Sequence, residues 1–180
     1  MGEIKSTLDL VMERTRHLSF SDEERVRQQR EAFDKRLQGL LLQVADGALT
    51  IDAFGNRIAA LQAELKVGGR QPVAAGIVSR IDPDGNNRIW IDLLAEVEPA
   101  ACAPLEKTLA DYRNNRRTLL QSGEERQRER LARNHGISGS AVIPNPLTET
   151  ACREALDSLK RQTLTVLQQQ IQAVSSFDQT

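Results

Sequence analysis

Asp82, Asp84 and Asn86 alternate along the turn Asp82–Asn87 (DPDGNN), and Asp92 follows shortly after. Oxygen-bearing side chains at this spacing could converge on a hard divalent cation such as calcium, which takes several oxygen ligands on one short loop. The position where a calcium loop normally closes with a bidentate acid holds Leu93, and Asp92 stands one residue early. Losing that ligand pair costs most of the affinity. The position of the sharp-turn glycine holds Asn87, a residue that tolerates left-handed backbone. The competing reading is a capped turn, in which the Asp and Asn side chains satisfy nearby backbone amides and hold no metal.

A second chemistry lies in the arginines. From Arg113 to Arg133 there are seven Arg against Glu124, Glu125 and Glu129, so the segment carries 7 − 3 = +4. Arg113, Arg116, Arg117, Arg126 and Arg130 are the side chains that could meet a phosphate backbone, and RNA or the ribosome is the partner they imply. Interleaved Glu residues also fit a plain solvated helix face. Catalytic chemistry finds no footing. No Ser, Cys or Thr has a base at motif spacing. The loop Gly136–Ser140 lacks the lysine and following helix of a phosphate loop. His135 beside it reads as a partner for a helix C-terminus.

Composition narrows the classes further. A net charge of −1 gives no bulk attraction to nucleic acid or acidic membrane, and 3% aromatics leaves few platforms for stacking bases. No apolar run approaches the roughly 20 residues a bilayer needs. The opening MGEIKSTLDL lacks the apolar core of a signal peptide. Cys102 and Cys152 are widely separated and the only histidines are His17 and His135, which points to a reducing, cytoplasmic setting and away from zinc.

The elements that must position these residues are helical. Ile4, Leu8, Val11, Thr15 and Leu18 mark a first helix over Met1–Ser19, with a seam narrow enough to need a partner helix. Ser21 and Glu24 form a capping box for a second helix, whose apolar positions run from Val26 through Phe33, Leu37 and Leu41 to Val44. Gly47 and Thr50 stop it and start a third, with Ile51, Phe54, Ile58, Leu61 and Leu65, ending at Gly68-Gly69. A long helix is expected from Pro104 to a stop at Gly136, with Gly123 either a kink or a boundary. Thr148 starts the last helix, with Cys152, Leu156, Leu159, Thr163, Val166, Leu167, Ile171 and Val174 at seam spacing.

The centre admits two readings. Val73, Ala74, Ile77, Val78 and Ile81, then Ile89, Trp90, Leu93, Leu94 and Val97, repeat one helical spacing on either side of the turn. That doubled pattern, with Pro72 at a first turn, favours helix–loop–helix. The alternation of Ile77, Ser79, Ile81 and Ile89, Ile91, Leu93 around Pro-Asp-Gly allows a β-hairpin over 76–94 instead.

Three resemblances attach to these residues. VSRIDPDGNNRIWIDLL resembles an EF-hand, with Asp82, Asp84 and Asn86 at the first, third and fifth ligand positions and Ile89 at the eighth. The hairpin over 37–65, with Gly47, Leu49-Thr50, Phe54, Arg57 and Leu61, resembles the short helical module called SHOCT and implies geometry only. MGEIKSTLDLVMERT, RIDPDGNNRIWIDLL and HGISGSAV together resemble a family of uncharacterised bacterial proteins of this length, from which no activity carries over.

The sequence therefore predicts a mainly α protein, a helical bundle with long, coiled-coil-like helices and a small central helix–loop–helix. It divides into an N-terminal helical segment over 1–66, a central insert over 67–98 and two long closing helices over 99–180, within one structural domain. The expected role is that of a non-enzymatic interaction or scaffold protein. It self-associates or meets another helical protein through its seams, with no cofactor unless the loop takes calcium.

Overall fold

The computed structural model describes residues 21–177, with side chains described through residue 173. The helix expected over Met1–Ser19 lies outside the described residues. Among those described, the chain forms α1 (Asp22–Ala45), α2 (Ile51–Leu65), α3 (Gln71–Val78), α4 (Arg88–Val97), α5 (Pro99–His135), a short 3₁₀ turn (Pro146–Thr148) and α6 (Thr150–Phe177), without strands. The protein is mainly α, and the centre is helix–loop–helix, not a hairpin.

Local chemistry sets the boundaries. The Ser21 hydroxyl accepts from the Glu24 amide while the Glu24 carboxylate accepts from the Ser21 amide, the reciprocal pair of a capping box. Thr50 caps α2 through the Ala53 amide. Gly47 and Gly136 take the left-handed backbone that closes a helix, at φ +71° and +63°. At the end of α2 that role falls to Lys66 (φ 55°), ahead of the glycine pair the sequence suggested.

Three boundaries differ from expectation. The long helix starts at Pro99, not Pro104. Pro99 suits a first turn because its missing amide is unneeded there, and Ala101 and Leu105, one turn apart and buried, hold the helix to the core through Pro104. Gly123 is no boundary. A Cβ there would lie 2.8 Å from Pro146 and 3.2 Å from the Cys152 sulfur, so the glycine lets the returning chain approach an unbroken helix. The last helix begins at Thr150, because Pro146–Thr148 first makes the 3₁₀ turn, capped by the Asn145 side chain.

The layout is two helical hairpins joined through the small central unit. α1 and α2 pair, and α5 and α6 run antiparallel, tied at one end by Thr108 with Gln170 and at the other by Gln127 with Thr148. α3 touches α1 and α6, while α4 touches α2 and α5. One cluster of buried side chains runs through all of these helices, from Phe33 and Phe54 through Ile77 and Leu93 to Leu105 and Ile171. The doubled apolar spacing is visible in it: Val73, Ala74, Ile77 and Val78 of α3 and Trp90, Leu93 and Leu94 of α4 are buried. Arg80, just after α3, donates twice to the Gln38 side chain of α1, at 2.6 and 3.0 Å. The seams of α1, α2, α5 and α6 thus pack on one another inside the chain. Val26 and Val166, at seam spacing in the sequence, are exposed.

Candidate functional site

The turn between α3 and α4 folds by its own side chains. The Asn87 amide spans it, accepting from the Asp82 amide nitrogen at 3.0 Å and donating to the Asp82 carbonyl at 2.7 Å. The Asp84 backbone donates to Asp82 Oδ1, and the Arg88 backbone donates to Asn86 Oδ1. Pro83 is buried beneath them. These are the amide-satisfying roles of a capped turn, and they orient both Asp carboxylates toward the closing hairpin.

There the carboxylates meet a cation supplied by the chain. Lys160 Nζ of α6 lies 2.7 Å from Asp82 Oδ1 and 3.0 Å from Asp84 Oδ2. From α5, the Tyr112 hydroxyl donates to Asp84 Oδ1 at 2.6 Å, and Arg116 Nε approaches the same oxygen at 3.1 Å. Asp82 and Asp84 occupy the first and third positions of the EF-hand-like register, and the positive centre between them is an ammonium. Asn86 turns its oxygen to the Arg88 amide, and Asp92 pairs with Arg88 one turn away at 3.7 Å. Of the four suggested metal ligands, the structure brings Asp82 and Asp84 together and directs Asn86 and Asp92 elsewhere.

The electrostatics follow from this arrangement. Hydrogen bonding to Lys160, then the Asp84 backbone amide, holds the Asp82 carboxyl below its ordinary pKa. The Tyr112 hydroxyl, with Lys160 behind it, does the same for Asp84. Burial, and then its bond to the Asp84 carboxylate, pushes the Tyr112 phenol up to about 12. Lys160 is raised by its bonds to Asp82 and Asp84. Each shift favours the charged pair with the phenol protonated, so the four groups hold one another in one state.

The arginines divide. Arg116 belongs to this cluster, and Arg126 pairs with Glu149 across the hairpin at 3.4 Å. Arg113, Arg117 and Arg130 are exposed, with no hydrogen bond or ion pair to another described residue. Arg113 and Arg117 share one face of α5 and Arg126 and Arg130 another, about 140° apart on an ideal helix. They do not form one stripe.

The residues that sequence reasoning did not single out are Tyr112 and Lys160. Tyr112 reads in the sequence as one more seam position of a long helix; its status as the only tyrosine was the available signal. Lys160 flanks the seam of α6 and lies 76 residues from Asp84, a pairing that only the fold creates.

A further feature lies at the far tip of the closing hairpin. The loop over 137–147 returns along α5, with Pro144 and Pro146 buried and the Arg128 guanidinium reaching the Val142 carbonyl. Ile143 is 85% exposed, Ile137 47% and Leu147 44%, whereas most large aliphatic side chains of the described residues are buried or half-buried.

No family model matches the chain, and neither a curated protein nor a solved structure matches it.

Proposed function

We propose that this protein acts through contacts and not catalysis, as a helical scaffold that self-associates through the tip of its α5–α6 hairpin. The observation that carries this reading is the cluster of exposed aliphatics, Ile137, Ile143 and Leu147, on one short loop fixed by two buried prolines. Apolar side chains concentrated on an ordered, exposed loop favour association. The seams of α1, α2, α5 and α6 pack largely within the chain, and the tip offers a partner apolar surface that this packing leaves uncovered.

Charge favours a second copy as the partner. Between Gly123 and Thr150 the tip carries Arg126, Arg128, Arg130 and Arg133 against Glu124, Glu125, Glu129 and Glu149, so 4 − 4 = 0. A surface with both signs interleaved can face itself about a two-fold axis without net repulsion. A polyanion would meet as many carboxylates as guanidiniums there. The contact is a small one, of the weak and concentration-dependent kind.

Sedimentation velocity over a wide concentration range tests this reading. The expected result is a rise in weight-average sedimentation coefficient that Ile143→Asp abolishes, with unchanged circular dichroism. A clean monomer throughout, or association indifferent to Ile143→Asp, overturns it.

A further inference from the structure

Beside the carboxylate–ammonium cluster, the central turn, α4 and α5 enclose a cleft of about 630 Å³. That lies in the range of small-ligand sites. Most charges on its wall are matched internally: Asp84 by Tyr112, Lys160 and Arg116, and Asp92 by Arg88. Glu106 and Arg113 also line it, and neither has a hydrogen bond or ion pair to another described residue. They are opposite charges on one helix, seven positions apart, or about 10.5 Å along the axis. Leu109 lies between them, and Ile91 of α4 lines the facing wall, half-buried.

We propose that this cleft binds a zwitterionic peptide of about three residues. An extended tripeptide spans about 10 Å between its termini, close to the rise along α5 between the two residues that carry the charges. Its ammonium meets the Glu106 carboxylate, and its carboxylate meets the Arg113 guanidinium. A central aliphatic side chain lies on the half-buried Ile91. A simple anion or simple cation engages only one end of this arrangement, and a longer peptide loses the match at one terminus. The proposal rests on the cleft alone and stands independently of self-association at the hairpin tip.

Isothermal titration of the full chain with the tripeptide Ala-Leu-Ala tests it, alongside its N-acetylated and C-amidated forms. The unmodified peptide is expected to bind saturably, and each blocked terminus to weaken binding by about two- to fivefold, the worth of a partly exposed ion pair. Glu106→Gln should remove the penalty of acetylation and leave that of amidation, and Arg113→Gln the reverse. Both positions are exposed, and unchanged thermal midpoints establish that the variants fold. Absence of saturable binding to the unmodified peptide at millimolar concentration overturns the proposal. So do blocked peptides that bind equally well, or acetate binding as tightly as the tripeptide.

Discussion

Lys160 carries the clearest residue-scale argument. Its ammonium joins α6 to both carboxylates of the central turn, at a position where the sequence suggested a bound metal. Lys160→Met is expected to lower the unfolding free energy by about 1 kcal/mol, a modest figure because exposed charges are screened by water. Chemical denaturation measures it. With Lys160 in place, millimolar calcium should leave Trp90 fluorescence and the thermal midpoint unchanged, since the ammonium and Arg116 together already neutralise the two best ligands. The pH dependence has a definite sign at each end. Asp82 and Asp84 have lowered pKa values in the folded chain, so their contribution is present above the ordinary carboxylate range and disappears as pH falls below it. Tyr112 is raised to about 12, so its contribution is present below the ordinary phenol value and is lost as pH rises through about 12. Thermal midpoints of wild type and Tyr112→Phe should therefore converge at high pH. The carboxylates and amides of the turn were legible in the sequence, because capping is local. Their partners were not, because Tyr112 and Lys160 reach the turn only through tertiary packing.

At the scale of elements, glycines separate local from tertiary causes. Gly55 and Gly123 both sit inside helices, where glycine costs backbone entropy relative to alanine. A Cβ on Gly55 meets open space, so Gly55→Ala should stabilise the protein by about 0.5–1 kcal/mol. A Cβ on Gly123 would press on Pro146 and the Cys152 sulfur, so Gly123→Ala should destabilise it by about 1–3 kcal/mol. Thermal or urea unfolding of the two variants gives opposite signs if the returning loop packs as described. The capping box at Ser21, the Thr50 cap and the Gly136 stop were readable because each is set by a few adjacent residues. The start at Pro99 and the continuity through Gly123 were not. In both cases contacts from distant residues, around Leu105 and at Pro146, override a local breaker.

For the whole molecule, the central unit holds two helical hairpins together. α3 and α4 are short, yet their buried faces touch α1, α2, α5 and α6. The sequence showed this as doubled apolar spacing around one polar turn, and the helical reading of that pattern matches the fold. What the helical periodicity could not reveal is where each seam finds its partner. Narrow seams read as an invitation to another chain, whereas Leu37, Ile58, Leu109 and Leu167 all meet inside this one. Among the described residues, the loop over 137–147 keeps three large aliphatic side chains outside, and that is the surface proposed for a second copy. Hydrogen–deuterium exchange at low and high protein concentration tests that location directly. The expected result is slower exchange within 137–147 and the adjoining end of α5 as concentration rises, with the central turn unchanged. Exchange that is independent of concentration there, or protection that appears only along α1 and α2, contradicts self-association through the hairpin tip.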